Sequence, residues 1–202
     1  MSTETTHDAH RTRKVVLLMG MTLDGYGAEG WIPPVTWGKN SDDVHDELRR
    51  QLASIDTFLF GRESFELWEK VWPAMADDPR SAAFEKEFSR KTDAIQKVVY
   101  SKTLKSVRWH NSRLVAGSIA DDVAQMKRTN GRDVAIVGGP RIAQAFGELG
   151  LIDEYRLWIH PRIAGSGTPL LGTTGTPREL EIVDVNTFGS GGFSLHLRPK
   201  EA

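Results

Sequence analysis

The stretch Asp133 to Gln144, DVAIVGGPRIAQ, does most to limit what this chain can become. Val134-Ala135-Ile136-Val137 is an unbroken apolar run rich in β-branched residues, the pattern of a strand buried on both faces of a parallel sheet. Gly138-Gly139 stops the strand, and Pro140 suits the first position of a helix. Ile142, Ala143 and Phe146 supply that helix's apolar stripe, and Gly147 or Gly150 can end it. Strand, Gly-Gly, helix lets backbone N–H groups at a helix N-terminus approach a phosphate closely. The same sequence also serves as a tight βα turn that needs glycine for its dihedrals alone, and both readings stand at this point.

Similar units precede it. Lys14 to Gly20 has the pattern of a first buried strand, and Asp24-Gly25 after it is turn chemistry. Gly27 to Asn40 forms a long loop with Trp31 and Trp37 among glycines and prolines. Loops of this length often act as lids. The two indoles suit stacking on a flat ring, or plugging the loop onto the core. Ser41 to Ile55 is a helix with Ser41 as N-cap and Val44, Leu48, Leu52 and Ile55 as its buried stripe. Thr57 to Phe60 is a third strand, and Gly61-Arg62-Glu63-Ser64 opens a helix that Trp72-Pro73 is expected to break. Ser81 to Lys91 is an amphipathic helix with Phe84 and Phe88 inward, and Lys97 to Tyr100 a strand ending in Ser101-Lys102-Thr103. Arg113 to Ala116 is a short strand and Asp121 to Thr129 a helix. After the Gly-Gly unit come consecutive strands: Asp153 to Ile163, then Glu179 to Asn186 and Phe193 to Leu197, which alternate with period two across a Gly-rich link. The order predicts an α/β domain of three layers, α-β-α, with a mostly parallel mixed sheet and an antiparallel C-terminal hairpin.

The 202 residues suffice for one domain over 13–200, with 1–12 read as a disordered tail. A net charge of −1 gives no drive toward nucleic acid or an anionic membrane. No apolar run approaches the roughly 20 residues of a membrane span, and the N-terminal stretch lacks the apolar core of a signal peptide. Cysteine is absent, which excludes disulfides, thiolate metal sites and cysteine nucleophiles and fits a cytoplasmic setting. No metal site is expected, and His7 and His10 read as solvated.

Three strands therefore end in small or basic polar residues: Gly61-Arg62, Ser101-Lys102-Thr103 and Gly138-Gly139. Open α/β sheets bind ligands at the carboxyl ends of parallel strands, so the three clusters can converge. A pyrophosphate would sit on the Gly-Gly helix N-terminus, and a second phosphate would meet Arg62, Ser101 and Lys102. Two phosphate positions, one with added cations, suit NADPH better than NADH. No acidic residue follows Gly-Gly where one would hold a free ribose hydroxyl.

These residues also carry a family likeness. The sequence resembles the dihydrofolate reductase superfamily, and within it the reductase domain of the bifunctional deaminase–reductase of riboflavin biosynthesis. The motifs are Met21-Thr22-Leu23-Asp24-Gly25, Phe60-Gly61-Arg62-Glu63-Ser64-Phe65-Glu66, Val98 to Leu104, Val137-Gly138-Gly139, Leu151 to Tyr155 and Gly165 to Leu170. The resemblance implies an NADPH site that includes Gly61 and Ser64, with Arg62 and the Ser101–Lys102–Thr103 turn near the ribose phosphate. It implies Gly138, Gly139 and Arg141 near the pyrophosphate, Gly20 and Met21 near the nicotinamide, and a substrate side formed by Tyr26, Trp31, Trp37 and His45. The zinc-binding deaminase domain has no counterpart here, since there is no cysteine to hold zinc. Dihydrofolate reductases carry a carboxylate early in the helix after the lid. Asp42, Asp43, Asp46 and Glu47 all miss the apolar stripe, which counts against folate.

The expected reaction is hydride transfer to a C=N bond of a pyrimidine- or pterin-like heterocycle, as in the 5-amino-6-(5-phosphoribosylamino)uracil reductase. The proton comes from water or an acid, with Asp24 the first candidate and a purely turn-forming role its alternative. A nucleotide-binding module without turnover and a plain dihydrofolate reductase are the competing readings. A homodimer is expected, as in relatives.

Overall fold

The computed structural model describes residues 12–27, 41–172 and 177–200. Residues 1–11 of the tail, Trp31 and Trp37 lie outside them. The strands are β1 (Val15–Thr22), β2 (Ile55–Gly61), β3 (Gln96–Tyr100), β4 (Ser112–Val115), β5 (Asp133–Ile136), β6 (Glu154–His160), β7 (Leu180–Thr187) and β8 (Phe193–Pro199). The helices are α1 (Asp42–Ala53), α2 (Arg62–Met75), α3 (Ala83–Ala94), α4 (Ile119–Lys127) and α5 (Pro140–Glu148). All strands join one sheet in the order β4-β3-β2-β5-β1-β6-β8-β7. The pairs from β4 across to β6 are parallel, and β8 runs antiparallel to both β6 and β7.

The unbroken apolar runs became central strands for the reason their composition implies. β5 is buried along its whole length between β2 and β1, and β1 nearly so. Successive side chains point to opposite faces, so each strand feeds two cores. On one face Val16, Leu18, Phe58 and Phe60 meet α1, α2 and α3 through Leu48, Trp68, Trp72 and Phe88. On the other Leu17, Met19, Leu59 and Ile136 meet α4 and α5 through Val123, Ile142 and Phe146. This is the predicted three-layer α-β-α arrangement.

Two departures from the expected boundaries have a clear physical cause. Helix α2 does not stop at Trp72-Pro73 but runs to Met75. Pro73 falls in the last turn, where a missing N–H costs one bond, and Trp72 is held in place by packing. Its ring lies 4.6 Å from that of Phe88, and Ser89 Oγ donates to its carbonyl at 2.5 Å. Ile55, assigned by spacing to the stripe of α1, instead opens β2, fully buried. Ser41 does sit at the N-cap of α1, but its side chain makes no capping bond there. The Asp43 carboxylate takes the Val44 N–H and, at 2.8 Å, the N–H of Gly189 in the β7–β8 turn.

Candidate active site

The carboxyl ends of β1 to β5 border a cleft of about 860 Å³. Helices α2, α4 and α5 all begin at its rim, α2 directly after β2 and the others after short turns that follow β4 and β5. The dipoles at these helix N-termini make this rim attractive to anions. All three predicted clusters are in its wall: Gly61, Arg62 and Ser64; Ser101, Lys102 and Thr103; Gly138, Gly139 and Arg141. Gly20 lines it too.

Two glycines are required by geometry. A Cβ on Gly138 would stand 3.0 Å from the Phe60 Cα and 3.1 Å from the Gly61 nitrogen, so the ends of β5 and β2 touch only because Gly138 has none. Gly139 is the N-cap of α5 with φ of 53°, a left-handed conformation that side chains disfavour. A Cβ there would also reach 2.9 Å from Ser64 Oγ. The backbone at the head of α5 is thereby left bare toward the cleft. Ser101 Oγ accepts the N–H groups of Thr103 and Leu104 at 3.2 and 3.0 Å, which folds the basic turn around Lys102. The Arg62 guanidinium donates to Glu66 at 3.1 Å and Glu63 at 3.3 Å, and Arg141 lies 3.6 Å from Glu63. These pairs are solvent-exposed and worth little, so both arginines can turn to an arriving phosphate.

The sequence reading missed one wall. Val115 to Ala120 carries β4 into α4 and lines the cleft beside the Ser101 turn, whose first N–H bonds the Val115 carbonyl at 3.1 Å. Ser118 caps α4 by accepting the Asp121 N–H at 3.2 Å. Gly117-Ser118, followed by the acidic pair Asp121-Asp122 in the first turn, was the available signal.

Several expected residues stand elsewhere. Met21 is in β1 opposite Ile159 and Asp24 is in the following turn, and neither lines the cleft. Asp24 accepts the N–H groups of Ala164 and Gly165, at 3.0 and 2.8 Å, and clamps the loop after β6. Hydrogen bonds from Thr22 and from these two amides pull its carboxyl down to about 2, so at neutral pH it carries no proton to give. Tyr26 bridges to Pro169 and packs beside Gly167, also off the cleft wall. His45 stacks on Phe84 with centroids 3.7 Å apart and planes 9° apart, and burial lowers its pKa. Helix α1 faces the cleft with Leu48 and Leu52. Glu47 is buried beside them, but its carboxylate is bonded to Arg50 and Gln51 and is not in the wall.

The model of the RibD C-terminal domain matches residues 13–193. The chain belongs to the RibD C-terminal domain family. The YyaP protein of Bacillus subtilis (strain 168), itself uncharacterised, is 33% identical over 181 residues, covering 90% of this chain and 92% of YyaP. A crystal structure from Shewanella sp. PV-4, of a protein ascribed to riboflavin biosynthesis, superposes with a TM-score of 0.71 at 18% identity, covering 93% of this chain and 99% of that one. Dihydrofolate reductase from Enterococcus faecalis, complexed with NADP(H) and RAB-propyl, gives 0.57 at 12% identity, covering 93% and 97%. At such identities these structures speak for the fold, and they place the RibD C-terminal domain chain among dihydrofolate reductase-like folds.

Proposed function

We propose that this chain is an NADPH-dependent reductase that delivers a hydride to a C=N bond of a nitrogen heterocycle. The resemblance points to the pyrimidine and pterin types, with the 5-amino-6-(5-phosphoribosylamino)uracil reductase as the most similar activity. The observation that carries this reading is the convergence of three helix N-termini and three basic side chains, Arg62, Lys102 and Arg141, on one cleft. The left-handed Gly139 and the close approach at Gly138 leave backbone N–H groups accessible to a pyrophosphate. Arg62 with the Ser101–Thr103 turn would hold the ribose phosphate, and Gly20, at the end of β1, would border the nicotinamide. The bound cofactor supplies a hydride from its C4 carbon. The chain's own residues orient the two ligands and keep water from the transfer. With Asp24 engaged by backbone amides, the nitrogen takes its proton from solvent.

The fold's second use, as a nucleotide-binding module without turnover, is favoured by one observation: Glu63 is the only carboxylate among the described cleft residues, and it belongs to the cationic end. Titration calorimetry with NADPH and NADH tests the cofactor. Tight NADPH binding with weak NADH binding is expected, and binding of neither would overturn the reductase reading. Consumption of NADPH in the presence of heterocycles then separates an enzyme from a binder. A homodimer in the cytoplasm completes the proposal.

A further inference from the structure

The asparagines of the chain are Asn40, Asn111, Asn130 and Asn186, and only Asn130 is followed by glycine. Asn130-Gly131 lies exposed in the turn between α4 and β5. An asparagine amide carbon is open to attack by the backbone nitrogen of the next residue. The attack needs a next residue with no Cβ in the way and a backbone free to turn. It also needs a nitrogen and an amide that no hydrogen bond holds in an ordered element. Asn130 meets these conditions: among the described residues, neither its side chain nor the Gly131 N–H has a hydrogen-bond partner. The other described candidates are guarded. Asn111 gives its amide to the Ala94 carbonyl at 3.2 Å and precedes the first residue of β4. Asn186 gives its amide to Asp184 at 3.0 Å from inside β7. Asp24-Gly25 could close the same ring, but its carboxylate takes the Ala164 and Gly165 N–H groups, and the Gly25 N–H donates to the Thr22 carbonyl at 2.9 Å.

We propose that Asn130 is a self-modifying site, at which the turn before β5 is converted to aspartate and isoaspartate. The Gly131 nitrogen gives its proton to solvent and bonds to Asn130 Cγ. The Cγ–Nδ2 bond breaks, and Nδ2 takes a proton from solvent and leaves as ammonia. One water then opens the five-membered imide. Opening at Cγ gives aspartate on a normal backbone. Opening at the main-chain carbonyl carbon gives isoaspartate, whose backbone is one carbon longer. Either product adds one negative charge. The turn has little room for the longer one. A Cβ on Gly131 would already stand 2.7 Å from Asp56 Oδ2 and 3.0 Å from Arg13 Nε. The next residue is tied on both sides, the Arg132 N–H to Asp56 at 2.7 Å and its carbonyl to Arg13 Nε at 2.6 Å. Buried Asp133 then opens β5 with its N–H on the Ser54 carbonyl at 2.9 Å. An inserted carbon therefore disturbs the anchors by which β5 enters the sheet. No step involves the cleft, so the proposal is independent of the reductase reading.

The test incubates the full chain, native and in urea, at mildly alkaline pH and follows each asparagine by peptide mapping, with a fragmentation method that separates isoaspartate from aspartate. In the native chain Asn130 is expected to convert at least about tenfold faster than Asn111 or Asn186, at a rate that rises with pH. Conversion in urea but not in the native chain would show that the fold shields Asn130 and would overturn the proposal, as would Asn111 or Asn186 converting first. Unfolding midpoints read the consequence. The isoaspartate form should unfold at a lower midpoint than the fresh chain, and Asn130→Gln, whose ring closure is slower, should keep its midpoint through the same incubation. Fresh Asn130→Asp, which adds the charge without the extra carbon, should unfold with the native chain. An isoaspartate form with the native midpoint, or an Asn130→Asp chain weakened as much as that form, would overturn the link between backbone length and β5.

Discussion

Arg62 occupies the first turn of α2 at the cleft rim, with Glu63 and Glu66 as its partners in the free protein. If it turns to a ribose phosphate, it exchanges weak exposed pairs for a charge-assisted bond that NADH cannot offer. Arg62→Ala should then weaken NADPH by roughly 1.5–3 kcal/mol and leave NADH nearly unchanged. Equal losses for the two cofactors in parallel calorimetric titrations would refute the assignment. Lys97 poses a different question, because no sequence signal pointed to it. It is fully buried in β3, donates to the carbonyls of Thr92 and Asp93 at 2.8 Å each, and lies 4.4 Å from the centre of the Trp109 ring. It therefore ties the end of α3 to the sheet. Burial pulls its pKa down from 10.5 to about 8, against the opposing pull of Asp93. Between those pH values the unfolded chain holds a proton that the folded chain has released. Stability should accordingly rise with pH across that window, by at most about 3 kcal/mol, and be insensitive to this group below it. Urea unfolding of the native chain and of Lys97→Met from pH 7 to 10.5 checks this, and a pH-independent difference between the two would refute it. Glycines and basic residues at strand ends were legible because few other positions demand them. The placement of Asp24 was not, because its partner Ala164 lies 140 residues along the chain, and that of Lys97 was not, because its partners are the backbone carbonyls of Thr92 and Asp93, which carry no residue-type signal.

At the scale of elements, the strand–glycine–helix junction is the unit that recurs, and its clearest case is the head of α5. Gly139 is held at φ of 53° with Ser64 in the space a Cβ would need. Gly139→Ala should cost roughly 1–2 kcal/mol from the dihedral alone and, by shifting Ser64 or the α5 backbone, weaken NADPH as well. A variant with unchanged unfolding midpoint and unchanged NADPH affinity would show that this turn is neither strained nor part of the site. Such junctions could be read from sequence because a buried run, a glycine and an amphipathic stripe each leave a pattern. The β4–α4 junction was not read as a site because β4 is short and only half-buried, and it lacks the apolar run that marks β5. Ser118→Ala should cost α4 about 1 kcal/mol through loss of its cap, measurable as a lowered unfolding midpoint, and a midpoint equal to the native one would deny Ser118 that role. The persistence of α2 through Pro73 has a related cause: aromatic packing of Trp72 against α3 outweighs a single lost hydrogen bond in the last turn.

For the whole molecule, the two sheet edges differ in a way that bears on assembly. One edge is β4, four residues long, with Arg113 paired to Asp122 at 2.7 Å. The other is β7, eight residues long, with Ile182, Val183 and Val185 exposed at 67%, 46% and 47%. A long edge strand with exposed branched apolar side chains is a liability in a monomer unless something covers it. A second copy related by a two-fold axis would present the same strand to itself, so one self-complementary patch suffices to close the assembly. This edge is also remote from the cleft, since β6 and β8 separate β7 from the parallel strands whose ends form the site. Dimerisation through it would leave both clefts open. Light scattering coupled to size exclusion should therefore give twice the chain mass of 22.5 kDa. Replacing Ile182 and Val183 together by Arg should return the chain mass itself while leaving NADPH affinity unchanged. A native chain that already runs as a monomer removes the homodimer. A double variant that stays dimeric moves the contact away from β7, and one that loses NADPH affinity on dissociating would show that the partner subunit completes the cleft.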